Sequence, residues 1–334
     1  MQRFQMALQP GKNGRHVVIH AVSIGLAVIA QMILSIFVTL TKDSFVPDAL
    51  FQTPSWNVSE TFSLEVSMDR WSGGFWIMID LWSLGWLLHA TVGLFNRNVL
   101  GPESCNPEIH PPSFYLMWVT INIARVCSMV LWHTGNLVSA VQLWWTIPVF
   151  SFFMLSISYY NVHKHKAWLA INTPRLATWT RYLTQNGLAV FAWWSLLNAV
   201  VGLGVVLKYK GGVQDPLISA IVLAIICVCA LTWFLLQTFL LHKYLRYTFC
   251  VYPILVLGLG AMFTRSYRVH NISLNTSFCG CLMLLMTCMS VVHLICECMR
   301  TDDSGQPLAV EPYVTSGVCE TVCQPDAKHK PQKC

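Results

Sequence analysis

Two full charges inside apolar stretches are the residues most able to do chemistry: Asp80 and Arg125. A charge at mid-membrane costs about 2.5–3.5 kcal/mol on insertion scales, so it persists beside a partner or at a working site. A helix rise of ~1.5 Å per residue puts both in the outer half of their spans if those spans are antiparallel neighbours. The pair reads either as a structural ion pair that sets helix register or as a ligand or proton site. A second group is Trp193, Trp194 and Asn198. It reads as the wall of an apolar ligand cavity with Asn198 as the orienting hydrogen bonder. It reads equally as an interhelical polar clamp, worth about 0.6 kcal/mol on average in a membrane. Asn122 is a partner in either case. Trp82 and Trp86 are four apart and share a helix face, lining the same cavity or packing against core or lipid.

The histidines are weighed as a metal site. His16 and His20 are four apart, and His89 and His293 fall toward the inner ends of their spans. Asp80 lies toward the outer side, and the spacing matches no zinc signature. No catalytic residue, metal or cofactor is expected, and no P-loop, dinucleotide fingerprint or nucleophile elbow is present. Residues 241–246 match a short cholesterol-contact pattern and also read as a basic cap. Cys296 and Cys298 are candidates for palmitoylation or plain juxtamembrane thiols. Cys319, Cys323 and His329 are too few and too irregular to read as a metal site.

The elements that must position these residues are membrane spans. Of 334 residues, 55% are hydrophobic and only 11% charged, against roughly 25% charged in ordinary soluble domains. The apolar residues fall in long runs, which marks a multi-pass membrane protein. No basic block with interleaved aromatics points to nucleic acid. The 13 cysteines lie mostly inside apolar runs or in the tail, as packing thiols do.

Eight spans are expected, at about 16–40, 74–95, 112–132, 137–160, 182–207, 217–241, 248–263 and 274–298. The seventh is short and contains Pro253. Residues 41–73 read as a polar loop, 161–181 as the most basic loop, and 242–247 as a tight basic link. Residues 1–15 read as a cytosolic N-terminus, 16–298 as the transmembrane domain and 299–334 as a cytosolic, disordered tail. The positive-inside rule puts both ends in the cytosol. That orientation places the sequons at Asn57, Asn271 and Asn275 on the outer side as glycosylation sites. The plasma membrane or an internal membrane is therefore expected ahead of the mitochondrial outer membrane.

Three stretches carry a family likeness: RWSGGFWIMIDLWSLGWLLHA (70–90), HPPSFYLMWVTINIARVCSMVLW (110–132) and TQNGLAVFAWWSLLNAVVGLGVVLKY (184–209). They resemble the TspO / tryptophan-rich sensory protein family, in particular its larger uncharacterised members. The first stands in the place of a Pro-Ala-Gly-aromatic motif, the second of an Asn- and Trp-bearing helix, and the third of the fifth family helix. Ser72-Gly73 replaces Pro-Ala, Asp80 stands where the family is usually uncharged, and Arg125 where an Asn is usual. The resemblance implies an all-α bundle with a five-helix core, to which the last three spans are an addition. It implies a sterol, porphyrin or other flat apolar ligand held by Trp82, Trp86, Asn122, Trp193, Trp194 and Asn198. The expected partners are the lipid bilayer, that ligand and a second copy in a homodimer. The expected function is binding or transport of a small hydrophobic molecule. The alternatives are a metal-dependent intramembrane hydrolase and a structural or interaction protein with no small ligand.

Overall fold

The computed structural model describes residues 13–42, 62–98, 101–270 and 272–302. The expected sequons at Asn57 and Asn271, and the tail cysteines, lie outside the described residues. The chain divides into two units, 1–294 and 295–334; of the second, the described part is helical.

The described residues are helical almost throughout. The helices are α1 (Asn13–Lys42), α2 (Gly73–Phe95), α3 (Pro112–His133), α4 (Leu137–Lys164), α5 (Lys166–Asn172), α6 (Pro174–Trp179), α7 (Asn186–Tyr209), α8 (Asp215–Leu235), α9 (His242–Leu245), α10 (Val251–His270) and α11 (Leu274–Asp302). Two π-helical turns join them, Thr180–Gln185 ahead of α7 and Leu236–Leu240 after α8. A short hairpin pairs Arg97–Asn98 with Gly101–Pro102.

Among the described residues, seven helices are long and apolar enough to cross a membrane. Helix α10 stands where the seventh span was expected, but Arg265 and Arg268 close it and it is not among those seven. Local sequence sets the boundaries. Pro112 begins α3 after an extended Pro111, as suits a residue with no N–H to leave unpaired. Asp215 and Pro216 open α8, where a carboxylate meets the positive end of the helix dipole. Left-handed glycines at Gly135 and Gly212 turn the chain after α3 and α7.

Five helices close a ring. Helix α1 packs on α2 and α3, α3 on α4, α4 on α7, and α7 on α2. Helices α8 and α10 pack on α7 from outside that ring. Helix α7 is therefore central: 67% of its apolar window is buried, against 28–44% for the other six spans. Helix α1 instead shows Val18, Val22, Ile29, Ile33 and Ile36 outward. Such a stripe is at home against lipid tails.

Close approach to α7 uses small residues, as helices do in membranes. Trp82 lies on Gly187, where a Cβ would come within 2.7 Å of the indole. Gly187→Leu is expected to lower thermal stability by about 1–3 kcal/mol through overpacking. A melting curve in detergent checks it, and an unchanged midpoint would mean that Trp82 is free to move aside.

Two connectors differ from their expected form. The basic stretch 161–181 folds as α5 and α6, because Leu169 and Ala177 bury against Ile109 and Val162. Residues 62–72 are not a solvated loop: Leu64, Glu65, Val66 and Asp69 are buried. Glu65 accepts hydrogen bonds from Ser273 and Asn275, and its backbone N–H donates to Asp215 at 3.1 Å. Asp69 accepts from Arg268 and Thr264. Lys208 Nζ donates to Ser63 O and to Asp215 Oδ2, both at 2.8 Å. Asn275 Nδ2, the atom a glycan would occupy, is used on Glu65 and Pro216 in a buried position.

Candidate functional site

The ring interior holds the strongest polar constellation in the membrane-spanning part. Asp80 on α2 and Arg125 on α3 form a two-pronged pair, with Nη1 to Oδ1 at 2.7 Å and Nη2 to Oδ2 at 3.1 Å. Fork-to-fork geometry is the strong form of this contact. The two helices are not direct neighbours in the way their antiparallel order suggests: α1 stands between them in the ring and packs on both. Gln31 of α1 donates to Asp80 Oδ1 at 3.4 Å. The guanidinium lies over Trp76 at 4.7 Å and Phe191 at 5.5 Å. Aromatic faces in this geometry stabilise a cation.

One turn away, Asn122 donates to Trp118 O at 2.9 Å. Trp118 stands edge-on to Trp86 at 5.1 Å and tilted to Phe191 at 5.0 Å. Trp86 also meets Phe114 at 5.8 Å. Four buried polar atoms here find no hydrogen-bond partner among the described residues: Gln31 Oε1, Asn122 Oδ1, Trp86 Nε1 and Trp118 Nε1. A buried polar atom without a partner costs about 1–3 kcal/mol, so four in one region call for an explanation.

The other expected site residues go elsewhere. Trp82 donates its indole N–H to Leu183 O at 2.9 Å. Trp193 packs between Phe152 and Trp233, toward α4 and α8. Trp194 packs on Phe75 of α2, with Gly258 of α10 close by. Asn198 donates to Trp194 O at 2.7 Å, a bond within its own helix. The structure thus brings Asp80, Arg125, Asn122 and Trp86 together. It adds Gln31, Trp76, Trp118 and Phe191, which sequence reading passed over. The spacing 118, 122, 125 on α3 and 76, 80 on α2 is the signal that marks their common faces.

A second polar chain lies at the end of the bundle where α1 begins, here the proximal end. His16 meets Glu108 at 3.2 Å, His20 Nε2 meets His110 O at 2.9 Å, and His110 Nε2 meets Ser158 Oγ at 3.0 Å. Gln185 donates to the same hydroxyl at 3.3 Å. Beside it is a cavity of about 30 Å³ touched by Trp86, His89, His110 and Thr184, room for a water molecule. Among the described residues no three His, Cys, Asp or Glu side chains gather in a metal-holding group.

Burial, with the nearby His20 and His89, pushes the His110 imidazole down to about 3. His110 is therefore neutral when folded and takes up a proton when unfolded below its ordinary value near 6.5. A depressed folded value contributes stability above pH 6.5 that is lost as pH falls toward 3. The melting temperature in detergent is expected to fall between pH 7 and pH 5, and less steeply in His110→Gln. Equal slopes in the two proteins would assign the effect to other groups.

No family model, curated protein or solved structure matches the chain.

Proposed function

We propose that the protein binds, and passes through or along the membrane, a small and largely apolar molecule held in the ring interior. In this reading the ring α1–α2–α7–α4–α3 is a TspO-like five-helix core. Helices α8, α10 and α11 are the addition outside it, and α10 is an eighth span. One observation carries the reading. Trp76, Trp86, Trp118 and Phe191 supply aromatic faces around a set of buried polar atoms that lack partners among the described residues. A flat ligand with one acceptor and one donor can satisfy an indole N–H and the Asn122 carbonyl while stacking on the rings. The proximal end is the cytosolic side, where the basic segments gather.

The test is mass spectrometry of small molecules extracted from the purified protein. An apolar molecule near one per chain is expected in wild type and missing from Asn122→Ala and Trp118→Ala. Extracts without one, together with no tryptophan quenching by added protoporphyrin or sterol, would overturn the proposal.

A second reading is favoured by the packing. Trp86, Trp118 and Phe191 are all buried with rings 5.0–5.1 Å apart, so the ring is already filled. On that reading the protein is a structural or interaction component without a small ligand. The same extraction separates the two. For the compartment we propose the secretory pathway, and an electrophoretic shift on glycosidase treatment, absent in Asn57→Gln, tests it.

A further inference from the structure

The most basic stretches of the chain, 161–181 and 242–247, are far apart in sequence and meet at the proximal end. Between them lies a cavity of about 270 Å³. Four cations line it, Lys166, Arg181, Lys243 and Arg246, with His163 and His242, and no Asp or Glu. Lys166, Arg181 and Lys243 around one cavity repel one another, and a low-dielectric wall strengthens that repulsion. Such a cluster raises the local concentration of anions.

The walls are built. Arg181 comes from the π turn that opens α7 and lies over Tyr247 at 4.2 Å. Tyr244 packs on His163 at 4.4 Å. The floor is held by Tyr159, whose hydroxyl meets Thr248 Oγ1 at 2.5 Å, and by Gln185, which donates to Ser158. Asn186 fixes both sides by donating to Arg181 O and Tyr247 O, at 2.9 and 2.8 Å. The volume suits a compact anion of several oxygens rather than a long acyl chain.

Position supplies the rest. Three membrane spans, 137–164, 174–209 and 215–240, end or begin at this cavity. Tyr182, Phe239, Leu240 and Phe249 are exposed beside it, an apolar apron that lipid tails would cover. On the reading that these helices cross a bilayer with this end cytosolic, the cavity stands at the headgroup level of the leaflet that carries the anionic lipids.

We propose that this cavity is a binding site for a phosphate-ester anion at the membrane boundary. Lys166 and Lys243 supply point charges and Arg181 supplies a planar donor. A phospholipid headgroup and a soluble phosphate share this chemistry, and the arms below separate the two sources.

The experiment uses full-length protein in neutral detergent. The probes are short-chain phosphatidylinositol 4-phosphate, short-chain phosphatidylcholine as the uncharged-net control, and inorganic phosphate. Binding is read by melting-temperature shift and by native mass spectrometry. Wild type is expected to bind the anionic lipid in preference to phosphatidylcholine. Lys166→Gln/Lys243→Gln, at two exposed positions, is expected to weaken that binding about tenfold or more. Lys164→Gln/Arg175→Gln, which removes the same charge away from the cavity, should stay within about twofold. Protection by the lipid alone assigns the site to a headgroup, and equal protection by inorganic phosphate assigns it to a soluble anion. Wild-type affinity in the cavity variant, or an equal loss in the control variant, overturns the site. If the double variant melts before measurement, Lys243→Glu alone carries the same comparison.

Discussion

Asp80→Leu is expected to cost about 3–5 kcal/mol, the range seen when one partner of a buried ion pair is removed. The loss is large because Arg125 stays behind with side-chain exposure of only 5%. A guanidinium cannot shed its charge inside a protein. The faces of Trp76 and Phe191 return part of that energy, but they accept none of its N–H donors. Asp80→Asn keeps one acceptor and should fall between Asp80→Leu and wild type. Asp80→Leu combined with Arg125→Leu removes both charges and should recover most of the loss, as apolar replacement of whole buried pairs often does. Melting of the detergent-solubilised proteins orders these four. If Asp80→Leu melts with wild type, the pair does not hold the ring together.

Asn186→Leu is the second large expected effect. Asn186 is buried and its side chain answers three backbone groups: the carbonyls of Arg181 and Tyr247 and the N–H of Phe249. Leucine fits the volume and answers none of them; Arg181 O keeps the backbone N–H of residue 186, while Tyr247 O and the Phe249 N–H lose their partner. Each group left buried without a partner costs about 1–3 kcal/mol. At Arg181 O the side-chain bond adds to the one that the backbone N–H of Asn186 makes across the π turn. Hydrogen exchange by mass spectrometry should therefore quicken in the peptide 241–250, beyond the general loss of stability. Unchanged protection there would show that the clamp is absent. Gln237 makes the parallel arrangement after α8, donating to Thr248 O at 2.7 Å and accepting from Tyr252 at 3.0 Å, so this link is tied from two sides.

Much of this arrangement is legible from sequence because a membrane leaves few options for a backbone. Long apolar runs place the helices, and Pro112 and the Gly211-Gly212 pair mark two of their ends. The charges of Asp80 and Arg125 stand out for the same reason, since their surroundings are apolar. What sequence hides is the direction in which each helix faces. Trp193 and Trp194 are adjacent, so they point about 100° apart on a helix and enter different interfaces. Reading them as one wall ignored that geometry. Helix α7 is apolar on nearly every side, so its pattern gives no sign of which face meets α2 or α8. Residues 62–72 look like a polar loop because Glu65 and Asp69 have partners that are visible only after α8, α10 and α11 are in place.

That segment has a consequence for how the chain is made. Synthesis runs from the N-terminus and earlier parts fold first. The five ring helices are complete at residue 209, with Glu65 and Asp69 already beside them. The later groups that bond these two carboxylates belong to residues 264, 268, 273 and 275. A chain stopped after α7 therefore carries Glu65 without its Ser273 and Asn275 donors, and Asp69 with the Arg70 N–H but without Thr264 and Arg268. The stapling of residues 62–72 by the last helices makes the ring's final stability depend on translation reaching its end.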